Sequence, residues 1–478
     1  MTDKERNVLN SPLSRRQALK LMGAFTGMAA LSACVAPAAP GTTGAAPEAG
    51  AGEAAAPAGE MPHMVVAHRR EYFAEMEELF ANAVRDWAAA NNVDVETTTV
   101  AAEANQDFVP KLLAEVAAGN PPSLVYHVRL TQLLYSQNAL EPVTNVVEQT
   151  TELYGEPPYG QTSVNIIDGE WYGIPYMMHG GGQFARRSVF EEHSIDPLTL
   201  ATYDERREAC LTVSDPEANM YGWGLTVNSG GDATGLIESI IQNWGGHYTD
   251  EEITEVTFNS PETVAAVTWL SEIYTDPRFA PMVPPGVMSW TDSSNNEAFL
   301  AGTIAYTHNA ASVYAKAKAD GNPIFEDTVV LETAIGPLGV KLESGGGGQF
   351  IIPRGAAHRE LAEQLAMHML EPEVFLPISL ISAGLFLPAY AGYYEMEEVI
   401  EAFQADPNLQ RMGEAAQGNH PGSSWPALPS PLFDAIAAQA VLTDMMAQII
   451  AQGVTPEEAV AQAHDRIISI GQEMGFFV

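Results

Sequence analysis

Basic residues are scarce in this 478-residue sequence: 22 Lys and Arg stand against 61 Asp and Glu, a formal net charge of −39. That balance repels a phosphate backbone and excludes nucleic acid as a partner. It also excludes adhesion to an anionic bilayer by electrostatics alone. Cysteine is scarcer still. Cys34 and Cys210 are far apart, so neither a disulfide scaffold nor a cysteine zinc site can be built. No repeat of roughly 20–50 residues recurs, which excludes a solenoid. Gly-x-Ser-x-Gly and His-Glu-x-x-His are missing, and the eleven His lack metal-ligand spacing. No catalytic residue, metal or cofactor is therefore assigned. The run Gly345–Gln349 lacks the Lys-Ser/Thr of a phosphate loop and reads as a place of close backbone approach.

What is present is a soluble body with enough apolar residues, 46%, for a sizeable core, and enough length for two lobes. Before that body comes an address. Arg15-Arg16 precedes the uncharged stretch Leu21–Ala33, too short to span a bilayer and right for a signal-peptide core. The paired arginines resemble a twin-arginine export signal, with Ala18 where an aromatic is more usual, so the general secretory route stays open. Leu31-Ser32-Ala33-Cys34 resembles the cleavage box of bacterial lipoproteins, which makes 1–33 the signal peptide and Cys34 the lipid attachment point. Residues 34–62, almost wholly Ala, Pro, Gly, Thr and Glu, read as a flexible tether. Cys210 reads as a small buried hydrophobe.

From Met64 the pattern alternates. Met64–Ala67 is a short apolar strand ending at His68-Arg69-Arg70. A helix follows, with Phe73, Met76, Phe80, Val84 and Trp87 along one face. Val93–Val100 is a strand, Asp107–Ala118 a helix with Asp107 as a candidate N-cap, and Ser123–Tyr126 a strand. This order predicts an α/β fold with mainly parallel sheets flanked by helices. Ligands of such sheets bind at the carboxyl ends of strands, which here carry Arg69 and Arg70, then Tyr126, His127 and Arg129. Asp168-Gly169 predicts a hairpin turn into the aromatic strand Trp171–Tyr176. Further along, Tyr221–Leu225 reads as a strand, Leu236–Trp244 as a helix stopped by Gly245-Gly246, and Pro261–Tyr274 and Pro456–Ile470 as helices.

The order of motifs is similar to that of extracellular solute-binding proteins of ABC importers, the carbohydrate-binding kind that includes maltose-binding protein. Lys111–Pro122 resembles that family's helix followed by G-x-P-P. Trp171–Tyr176 resembles its YGIP crossover, Thr202-Tyr203-Asp204-Glu205 its T-W-D-E, Phe258–Glu262 its helix start, and Ala298–Tyr306 its a-F-x-x-G segment. Gly345–Ile352 followed by Ala362–Met369 resembles its late strand and helix. Phe184–Phe190 departs from it, lacking the usual Tyr-Asn pair. The resemblance implies two lobes joined by a hinge, with 63–173 plus 303–345 in one and 174–302 plus 346–478 in the other. Crossings are implied near Gly173–Pro175 and Gly302. It further implies a monomer that closes on a small molecule, a mono- or oligosaccharide, and delivers it to a membrane permease. A peptide or polyol cargo, a secreted glycoside-acting enzyme and a surface scaffold are the alternatives.

Sugar recognition uses aromatic faces and planar polar groups. The candidates are Tyr126, Tyr176, Trp223, Trp244, Trp290 and Trp425, with Arg69, Arg70, His179, Gln183 and Asn309 as polar partners. Gly245 joins them because the resemblance places a ligand-contacting Gly-Gly after Trp244, and a late cleft loop at Trp425.

Overall fold

The computed structural model describes residues 61–70, 74–101, 105–128, 130–228, 230–343, 346–418, 420 and 422–477. The export signal, Cys34, nearly all of the tether and Arg129 lie outside them.

The first strand, β1 (His63–Arg70), leads into α1 (Ala74–Ala90), which buries Met76, Phe80, Val84 and Trp87 at the expected spacing. β2 (Asp94–Ala101), α2 (Asn105–Ala118) and β3 (Leu124–Val128) follow, so the second helix starts two residues before the expected Asp107. β1 pairs in parallel with β2 on one side and β3 on the other. Three later strands complete this sheet: β4 (Ile174–His179), β8 (Gly347–Ile351) and β9 (Phe386–Pro388), in the order β9-β4-β8-β3-β1-β2. β8 runs antiparallel to β3 and β4, and β9 antiparallel to β4, so four of the six strands share one direction. The expected hairpin at Asp168-Gly169 is present, joining Ile166–Ile167 to Glu170–Trp171.

A second sheet has the order β6-β5-β7, from β5 (Gly181–Arg186), β6 (Tyr306–Ala310) and β7 (Thr328–Leu331). Both pairings are antiparallel, where a mainly parallel sheet was expected. β5 finds its partners more than a hundred residues downstream, so the local strand-helix-strand order does not set their direction. Tyr221–Leu225 is extended beside β6 rather than a full strand, tied by the parallel Tyr221–Ile304 bridge and by Gly224 N–H donating to Tyr306 O (2.9 Å).

The strands do not divide where the sequence suggested. Ile174–His179 belongs to the first sheet and runs through Gly180 into β5 of the second. Residues 306–310 and 328–331 join the second sheet and 347–351 returns to the first, the reverse of the expected assignment for those strands, while 427–470 packs with the second core as expected. Gly180 is required there: a Cβ on it would lie 1.9 Å from Gly384 O. Gly347, opening β8, likewise has Met177 O 2.0 Å from a would-be Cβ, the close approach expected of the glycine run.

There are two apolar cores, and the second sheet contributes to both: Phe184 and Val330 to the first, Ala185, Tyr306 and Leu331 to the second. The first gathers Val66, Phe80, Tyr126, Tyr176, Phe350, Phe375 and Tyr393. The second gathers Trp223, Phe258, Trp269, Tyr306, Leu432 and Ile467 with Cys210, which is wholly buried as expected. Thr202–Glu205 has a local reason. Thr202 Oγ1 accepts from Glu205 N–H (3.2 Å) and Glu205 Oε2 from Thr202 N–H (2.9 Å), a capping box on the helix Tyr203–Thr212. The late helices α7 (Pro407–Gln417) and α8 (Pro431–Ala438) belong to different cores: Leu409, Met412 and Ala416 to the first, Leu432 and Phe433 to the second. One stretch, Pro431–Gln452, is long and apolar enough to cross a membrane; it buries Leu432, Phe433, Met445 and Met446 in the second core instead.

Candidate functional site

β1, β3 and β4 all finish at one edge of the first sheet, and there the chain passes through Gly180 into the second. β5 begins at that passage, and Gly181 pairs with Ala310, the last residue of β6. Polar side chains from both sheets therefore collect at this junction.

From the first sheet come Arg69 and His179. Arg69, next to last in β1, is half-buried. The His179 ring stacks on Phe386 (centroids 5.5 Å apart, planes within 8°), and its Nε2 lies 3.4 Å from the Tyr126 hydroxyl. From the second sheet comes Asn309, buried on β6, with Nδ2 donating to Asn296 Oδ1 at 2.6 Å. Asn296 lies on α6 (Asp292–Leu300).

Packed on β6 is α4 (Gly231–Trp244), whose first turn carries Asp232. Its free backbone donors are taken by Asp292, the first residue of α6. Asp292 Oδ2 accepts from Gly231 N–H (2.8 Å) and Oδ1 from Asp232 N–H (3.2 Å), as the positive end of a helix dipole favours. Asn295 Nδ2 donates to Asp232 Oδ2 (2.9 Å). Burial first, and the Asp292 charge second, hold the Asp232 carboxyl well above the usual carboxylate range; Asn295 and the Arg69 guanidinium of the first sheet oppose that rise. On β6, burial pushes the His308 imidazole down to about 4, so it is neutral.

The expected residues divide. Arg69, His179 and Asn309 each stand at or next to the end of a strand that reaches the junction. Arg70 is exposed and donates to Thr99 Oγ1 on β2 (2.9 Å). The Tyr126 ring is core, with only its hydroxyl reaching Met177 Sδ (3.2 Å) and His179. Tyr176 is wholly buried among Phe80, Tyr126, Phe350 and Phe375, and Trp223 is wholly buried with Nε1 donating to the Tyr274 hydroxyl (3.1 Å). Neither presents a ring face to a solute. Trp244 packs on Tyr203 and Trp269 in the second core, and Gly245 ends α4 in the left-handed region (φ 94°). Twelve residues separate Trp244 from Asp232, about 18 Å along a helix axis. Trp290 is half-buried against the first core, two residues before Asp292. Trp425 lies between His247 and His420 (centroids 4.3 and 5.3 Å).

Gln183 is a core residue. With the carbonyls of Leu200 and Glu332, its Oε1 receives the buried Arg206 guanidinium. Asp232, Asp292, Asn295 and Asn296 escaped the sequence reading, which began this helix at Leu236. The available signals were Asp at a helix start after Gly-Gly and the Thr291-Asp292 pair. Around Asp232 a guanidinium, two carboxylates and an amide lie close together, groups of the kind that hydrogen-bond a polyhydroxylated solute. Among the described residues no group of three or more His, Cys, Asp or Glu is arranged to hold a metal ion.

Residues 82–411 match a sequence model described as bacterial extracellular solute-binding protein. No curated protein matches in sequence. Among solved structures, a solute-binding protein of an ABC transporter from Thermotoga lettingae TMO, bound with alpha-D-tagatose, superposes with a TM-score of 0.71 at 17% identity, over 86% of this chain and 99% of that one. Maltose-bound MalE3 of T. maritima gives 0.71 at 17%, over 85% and 99%. A solute-binding protein from Agrobacterium radiobacter K84 in complex with ribitol gives 0.71 at 15%, over 86% and 98%.

Proposed function

The chain belongs to the bacterial extracellular solute-binding proteins, and from that premise we propose that it captures a carbohydrate or polyol between its two sheets and delivers it to a membrane permease. The observation that carries this reading is the junction at Gly180. There Arg69 of the first sheet lies near enough to Asp232 to oppose the rise in its pKa, while His179 ends β4 and Asn309 stands next to last in β6. Support for a sugar or polyol rests on the solutes held by structural neighbours and on these planar polar groups, since the aromatics Tyr176, Trp223 and Trp244 serve the cores.

In this reading the two lobes meet at Gly180 and Ala311, and the open and closed forms differ in affinity for the solute, with no bond made or broken. The protein works as a monomer, outside the cytoplasm as its family does, tethered through a lipid on Cys34 after export. A thermal-shift panel of mono- and oligosaccharides, polyols, amino acids and short peptides tests it. A solute at a hundred times its dissociation constant stabilises the fold by about 2.7 kcal/mol. A selective saccharide or polyol response is expected. A response to peptides alone would replace the cargo, and silence across the panel on folded protein would overturn the reading.

A further inference from the structure

Between Ala416 and Ala427 the chain makes its last passage from the first core to the second, and described residues of this passage are fastened to α4. Gln242 Nε2 on α4 donates to Gly422 O. His420, only 6% exposed, accepts Gly422 N–H on Nδ1 at 3.2 Å, so the neutral ring carries its proton on Nε2. That Nε2 is buried with no partner, as is Nδ1 of His247. The two imidazoles flank the Trp425 indole, His247 edge-on at 4.3 Å and His420 tilted at 5.3 Å. Beside them is a small cavity of about 10 Å³, lined by Glu238, Gln242, His247, Tyr248 and Ser423, the volume of one water probe.

We propose that His247, Trp425 and His420 form an acid-released clasp that fixes the chain's last passage between the two cores. The charged and titratable groups facing it are few. Glu238 on α4 accepts from the Tyr248 hydroxyl (3.2 Å) and shares the cavity. Glu262, on the helix Pro261–Thr275, favours a charge on His247. A proton on His247 is thus answered by the Gly246 backbone and the Glu262 carboxylate. A second, on His420, meets burial and the charge of His247, the two causes that lower its pKa. Both imidazoles are held below their ordinary 6.5, in each case chiefly by burial. A group kept neutral by folding binds fewer protons folded than released, so the clasp is complete above pH 6.5 and weakens as pH falls below it.

The test is hydrogen exchange on the full chain at pH 7.5 and 5.5, corrected for intrinsic rates, read at the amides of Gly422 and Trp425, which are bonded to His420 and to Gly422 O. Each imidazole that stays neutral costs the clasp about tenfold in its closing equilibrium over that interval. Protection in the parent should therefore fall, by up to about tenfold for each imidazole. In the double variant His247→Asn, His420→Asn, where the carboxamide replacing the His420 ring can still accept from Gly422 N–H, it should stay level. Unchanged protection in the parent overturns the proposal whatever the variant does. So does an equal loss in parent and variant.

Discussion

Gly180 joins the two sheets, and the chain has no room for a side chain there. Replacing it by alanine places a methyl 1.9 Å from Gly384 O, with Gly384 C at 3.0 Å and Leu387 Cδ1 at 3.1 Å. Ordinary carbon–oxygen contact needs well over an ångström more, and two of the three obstacles are backbone. The strand end must therefore shift against Gly384, where Gly180 N–H donates to Leu385 O (3.3 Å). Overpacking of this kind costs about 1–3 kcal/mol. Gly235 provides the opposite case. It lies within α4 with nothing within 4 Å of a would-be Cβ, so alanine there should stabilise by about 0.5–1 kcal/mol through helix propensity. Urea unfolding of both variants against the parent measures the two signs together. A Gly180→Ala protein as stable as the parent, alongside a stabilised Gly235→Ala, would refute the close contact at the junction.

Other outcomes follow from single side chains. Trp223→Ala should cost about 3–5 kcal/mol in unfolding free energy, as loss of a fully buried aromatic does, while the folded fraction keeps the parent's solute affinity in calorimetry. Arg206→Ala removes the buried guanidinium that serves Leu200 O, Glu332 O and Gln183 Oε1, of which Gln183 Oε1 keeps the Tyr306 hydroxyl; with about 1–3 kcal/mol for a hydrogen-bonding group left buried and unpaired, its unfolding midpoint in urea should drop below the parent's. Asp232, with its folded pKa raised, binds a proton more readily folded than unfolded, so its contribution to stability is present at low pH and lost as pH rises through that raised value. Asp232→Asn should therefore gain stability over the parent at pH 8 and lose that advantage at pH 4, read by urea unfolding at both pH values.

Much of the first sheet was legible because its signals are local. The α1 stripe from Met76 to Trp87 and the β1-α1-β2-α2-β3 order need no distant partner to be read. Arg69 could be nominated for the same reason: it stands next to the end of a recognisable strand. Asp232 was not, because Gly230-Gly231-Asp232-Ala233-Thr234-Gly235 reads as loop on propensity. The first turn of α4 is held by Asp292, sixty residues downstream, which accepts the very donors a free helix start leaves open. The second sheet escaped on the same principle, since β5, β6 and β7 meet only through tertiary packing. The aromatics failed differently. Trp244 was nominated because the resemblance sets a ligand-contacting Gly-Gly after it; Gly245 is the left-handed stop of the helix, as its sequence predicts, and Trp244 is half-buried against Tyr203 and Trp269.

Capture at the Gly180 junction is tested most directly by calorimetric titration of the parent and of Arg69→Ala with the saccharide or polyol that gives the largest thermal shift. One solute per chain is predicted for the parent, with affinity lowered at least about tenfold in Arg69→Ala, as loss of a hydrogen bond from a charged group implies. Equal affinity in the two proteins would contradict the placement of the site.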